Sequence, residues 1–105
     1  MNTLHEIKDW LHEKLNQGKF SYRNNLDRFT EINEDKKYVK VILHTSENAY
    51  YIIATLDGYL GCIVSSRKAE LGEKHLRGAD LADGKLNEET LNKIVYDILA
   101  YEIVS

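Results

Sequence analysis

The chain predicts an α+β domain: a two-layer sandwich with an N-terminal and a C-terminal helix packed on one face of an antiparallel sheet of three to four strands. Three observations carry this prediction. Apolar residues recur at three- and four-residue steps near both ends. Between those stretches lie short runs that alternate in polarity or are apolar throughout, as strands do. No helical period separates the runs, so consecutive strands pair antiparallel rather than through the long crossovers of a parallel sheet.

The first helix spans residues 3–17. Leu4, Ile7, Leu11 and Leu15 form its stripe and Trp10 widens it. Thr3 with Glu6 three residues on fits a capping box, and Gly18 suits the left-handed position that closes a helix. The next stretch, 18–26, is polar, with Phe20 and Tyr22 alternating in a loop or short strand. Residues 27–34 carry an edge-strand pattern through Phe29 and Ile32, and Asn33-Glu34-Asp35-Lys36 is a turn.

Residues 37–45 read as a strand, with Val39, Val41 and Leu43 on one face and Lys40 and His44 on the other. Residues 49–56 are apolar on both faces, which places that strand centrally in the sheet. Asp57-Gly58 signals a two-residue type I′ turn. That turn sets Ala54 opposite Gly61 and Ile52 opposite Ile63, leaving a spot poor in side chains where a helix or a ligand can approach. The last helix begins after Asn87 as N-cap, with Leu86 and Leu91 at staple spacing and Glu89 and Lys93 one turn apart. Leu91, Ile94, Val95, Ile98 and Leu99 form its stripe.

Size and composition bound the rest. A chain of 105 residues, 43% hydrophobic and 30% charged, makes one domain of ordinary globular type. It can bury roughly 60–70% of its unfolded surface. No run approaches the roughly 20 apolar residues of a membrane span. The acidic N-terminal stretch is neither a signal nor a transit peptide, so a cytoplasmic location is expected. The net charge of −3 lacks the basic excess that non-specific nucleic-acid binding draws on. The single cysteine, Cys62, sits among apolar residues and reads as a small core residue.

No P-loop, nucleophile elbow or zinc-protease motif is present, and the scattered histidines and Asp-x-x-Asp-Gly spacing fit no zinc or EF-hand site. No cofactor is expected. The candidate functional stretch is a charged loop, 67–85, that loses both the strand and the helix period. Its candidate residues are Arg67, Lys68, Glu70, Glu73, Arg77, Asp80 and Asp83. Interleaved basic and acidic side chains suit a self-paired network as well as a ligand site, and Arg77 is expected to pair with Glu73, Asp80 or Asp83. The seven tyrosines add a second candidate, since tyrosine is enriched at interfaces. Tyr38, Tyr50, Tyr51 and Tyr59 lie on or beside the central strands.

The run Y-L-G-C-x4-R-K-x3-G-E-x3-R-G-x-D-L-x-D-G, from Tyr59 to Gly84, resembles a segment of short, functionally uncharacterised proteins associated with phages and other mobile elements. Gly61, Arg67, Lys68, Gly72, Glu73, Arg77, Gly78, Asp80, Leu81, Asp83 and Gly84 carry the resemblance, which covers the C-terminal half. It implies a mobile-element accessory protein and brings no catalytic residues. The expected function is a small non-enzymatic module that docks on a protein through the loop and the tyrosine-bearing sheet, and the same surface admits a homodimer. The alternative is a small enzyme or ligand-binding protein with Arg67, Glu73, Arg77 and Asp80 around a polar substrate.

Overall fold

The computed structural model describes residues 1–16, 29–66 and 79–104. The described elements are α1 (Leu4–Asn16), β1 (Thr30–Asn33), β2 (Tyr38–His44), β3 (Asn48–Thr55), β4 (Tyr59–Ser66), β5 (Ala79–Lys85) and α2 (Glu88–Val104). The fold is α+β, and the strands form one open sheet in the order β1-β2-β3-β4-β5, antiparallel at every pairing. The sheet thus has five strands, not three to four.

The additional strand is β5, which occupies the last third of the predicted 67–85 loop. Two features hide it in the sequence. It is an edge strand whose outward residues are charged, and a bulge interrupts its alternation: Gly61 pairs with Asp83 but Ile63 pairs with Asp80. Beside the bulge, the Ala82 N–H donates to Asp97 Oδ2 of the last helix at 2.9 Å.

The β3–β4 hairpin also departs from the expected register. Ile52 faces Cys62 and Ala54 faces Leu60, one residue away from the pairing that a two-residue turn dictates. The loop holds Leu56, Asp57 and Gly58: Gly58 N–H donates to Thr55 O at 3.1 Å, and Gly58 has φ +105°. That is the three-residue alternative, a tight turn closed by a glycine at positive φ. The shift matters because the strand period is two. Leu60, Cys62 and Val64 all enter the core, whereas Tyr59, Gly61 and Ile63 share the opposite parity.

Sequence signals at the two helix N-termini are realised as bonds, while the closing position expected of Gly18 lies outside the described residues. Glu6 N–H donates to Thr3 Oγ1 at 3.1 Å, and Thr90 N–H donates to Asn87 Oδ1 at 2.9 Å. Ile7, Leu11, Ile94 and Ile98, fully buried, join Val39, Val41, Ile52, Leu60 and Val64 in one cluster. Each such side chain contributes roughly 1.5–3 kcal/mol on burial. Gly84 lets α2 come close, since a Cβ there would stand 3.0 Å from Thr90 Oγ1. Lys14 and Glu88 pair at 3.5 Å, bringing the end of α1 beside the start of α2.

Candidate functional site

Strand parity divides the sheet into a core face and an outer face. The outer face can be read in rows across the strands. One row runs Ile42–Tyr51–Ile63–Asp80, and the next runs Glu31–Lys40–Ile53–Gly61–Asp83. A third begins Asn33–Tyr38–Thr55. The outer face of an open antiparallel sheet is ordinarily polar. Here its centre is Ile42, Tyr51, Ile53 and Ile63, with Ile63 41% and Tyr59 43% exposed.

Of the four tyrosines singled out, Tyr38, Tyr51 and Tyr59 belong to this face and Tyr50 does not. Tyr50 is fully buried on the core side. Its hydroxyl donates to Glu102 Oε2, which also accepts from Asn48 Nδ2 at 2.7 Å and Thr45 Oγ1 at 3.1 Å. Tyr101 meets the Tyr50 ring edge-on with centroids 6.2 Å apart. Sequence reading missed Glu102. The signal was available in Asn48 and Tyr50, which share the core parity, because buried polar groups need partners.

The two margins of the outer face differ electrostatically. At the β1–β2 margin, Glu31 accepts the Tyr38 hydroxyl at 3.3 Å and pairs with Lys40 at 3.3 Å. Its charge is matched within the chain. At the β4–β5 margin, Asp80 and Asp83 are both exposed, and among the described residues no cation lies within ion-pair distance of either. Asp83 instead accepts the Tyr59 hydroxyl at 3.2 Å. The Tyr59 ring leans over Gly61 on the way, occupying the space where a side chain would stand. Partial burial pushes the Tyr59 phenol above its ordinary value, and the bond to Asp83 and the charges of Asp83 and Asp80 add to the rise.

Arg67, Lys68, Glu70, Glu73 and Arg77 lie outside the described residues, and so does the pairing expected of Arg77. Of the predicted loop residues the structure places Asp80 and Asp83, and it brings both beside Tyr59. Cys62 behaves as a core residue. Burial, with a smaller contribution from the Asp97 charge, pushes its thiol up to about 12, so it stays protonated at neutral pH. An open groove of about 510 Å³ lies between the β1–β2 and β3–β4 turns, lined by Asp35, Lys36, Lys37, Thr55, Leu56 and Asp57. Its lining charges are balanced, and the Leu56 N–H to Lys37 O bond at 3.0 Å ties its two walls together.

Among the described residues no group of three or more His, Cys, Asp or Glu side chains is placed to hold a metal ion. No helix among them is long and apolar enough to cross a membrane. No family model, curated protein or solved structure matches this chain.

Proposed function

We propose that this chain is a small binding module that docks on a protein partner through the outer face of its sheet. In this reading α1 and α2 form one layer on the core face, completing a two-layer sandwich and leaving the opposite face for recognition. The observation that carries it is the row Ile42–Tyr51–Ile63 at the centre of that face, with Ile53 beside it. Ile63 is exposed and Ile42, Tyr51 and Ile53 are half-buried, and apolar side chains that stay partly open to solvent within a polar rim are a feature of interaction sites. Tyrosine and isoleucine at the centre with charges confined to the margin is the usual anatomy of an interface. The resemblance of the 59–84 segment to mobile-element proteins supports an accessory role, in which binding rather than catalysis is the task. The enzyme alternative draws on Arg67, Glu73 and Arg77, and no observation among the described residues favours it.

The test places a photo-crosslinking amino acid at Ile63 on the outer face and, as control, at the exposed Lys93 of α2. Cell extract is then irradiated with each variant. A discrete adduct from position 63, lost when Ile53→Glu is added and absent from position 93, is the expected result. Equal yields from both positions, or an adduct indifferent to Ile53→Glu, would remove the face from the proposal.

A further inference from the structure

The β4–β5 margin of the outer face specifies what the partner must present, if the face is the docking surface proposed above. Three groups converge there. Tyr59 offers a ring that is 43% exposed and held in place by its hydroxyl bond to Asp83 at 3.2 Å. Gly61 beneath it adds no side chain, so the ring lies against the sheet and not upright from it. Asp83 and Asp80, in adjacent rows of the same strand, carry two negative charges that no described cation matches. Lys85 stands on the same strand but makes no ion pair with either carboxylate. The opposite margin, where Lys40 and Tyr38 satisfy Glu31, makes no such demand.

We propose that this margin receives an arginine from the protein partner, its guanidinium stacked on Tyr59 and paired with Asp83 and Asp80, while apolar residues beside that arginine lie along Ile63 and Ile53. Arginine fits where lysine does not. Its planar group stacks on an aromatic face while its edge N–H groups point at carboxylates, whereas an ammonium is a compact, strongly hydrated charge. A hydroxyl bonded to a carboxylate enriches the ring in electron density and strengthens the attraction of its face for a cation. The apolar row supplies the dry contact, and the acids select the orientation.

The experiment uses the isotope-labelled full chain at low salt and three peptide probes: acetyl-Ile-Arg-Ile-amide, its citrulline counterpart and its lysine counterpart. Citrulline keeps the shape of arginine and removes the charge. The expected result is saturable amide-shift changes at Tyr59, Gly61, Ile63, Asp80 and Asp83 with the arginine peptide. The citrulline peptide should bind at least tenfold more weakly and the lysine peptide severalfold more weakly. Asp80→Asn with Asp83→Asn, both exposed and conservative, should cost about tenfold, and Tyr59→Leu a similar factor. Equal binding of the arginine and citrulline peptides overturns the proposal, as do shifts that map elsewhere or no saturable shift. Sedimentation showing that the chain self-associates through Ile63 also overturns it, because the occupant is then a second copy. The crosslinking result at Ile63 stands apart from these outcomes, so the arginine assignment can fail while the docking face survives.

Discussion

Glu102 shows how one residue near the end of a helix can decide what its neighbours do. Three donors converge on one of its carboxylate oxygens, from Thr45, Asn48 and Tyr50, and together they fasten the last turn of α2 to the β2–β3 connection. Asn48 is 4% exposed and Tyr50 fully buried, so the carboxylate serves polar groups that lie out of reach of bulk water. Replacing Glu102 with alanine is expected to cost about 1–3 kcal/mol, the range for removing a charged acceptor from buried hydrogen-bond donors. That lowers the melting temperature by about 4–8 °C per kcal/mol for a domain of this size. Glu102→Gln should cost less, since an amide oxygen still accepts but without charge. The exposed Glu89–Lys93 pair at 3.6 Å is the comparison: breaking it should cost under about 0.5 kcal/mol. Thermal melting of the three variants checks the ranking, and an unchanged melt for Glu102→Ala would mean that the cluster contributes nothing.

Among the elements, the β3–β4 hairpin turns on Gly58. Its φ of +105° is closed to most side chains, yet an added Cβ would meet nothing within 4 Å. The cost of a substitution there is therefore backbone strain alone. Gly58→Val should destabilise by about 1–3 kcal/mol, and Gly58→Asn by clearly less, because asparagine tolerates positive φ. Chemical denaturation separates the two, and equal stability of Gly58→Val and the parent would refute the turn. The dipeptide Asp57-Gly58 announced a reversal in the sequence but not its length. Two- and three-residue loops share the same glycine, and only the burial of Leu60, Cys62 and Val64 chooses between them. The helices were legible to within a residue because their stripes and caps agree with each other. β5 was not, because a bulge breaks the one period by which a strand is recognised. For Asp80 and Asp83 the sequence indicated charge but not company. Tyr59 lies more than twenty residues from Asp83 in the chain, and pairing across the bulged strands brings the two together.

At the scale of the whole molecule, parity in the sheet separates the residues that build the core from those that face away from it. Val39, Val41, Ile52 and Val64 go into the core and can be changed only at the expense of packing, whereas Ile53, Tyr59 and Ile63 can vary with little effect on it. The strand order β1-β2-β3-β4-β5 has a further consequence, for how the chain reaches this structure. Every strand pairs with its neighbour in sequence, so the sheet can zip up hairpin by hairpin, and each loop closure costs little entropy. The chain also contains no proline, which removes the isomerisation that delays many refolding reactions by tens of seconds. Trp10, the sole tryptophan, packs against the core from α1 and reports the arrival of the helix on the sheet. Stopped-flow refolding followed by its fluorescence should show a single exponential on the order of milliseconds to a second. A major phase lasting tens of seconds would contradict it. A sheet connected this way is expected to re-form soon after dilution from denaturant, without waiting for a prolyl isomerase.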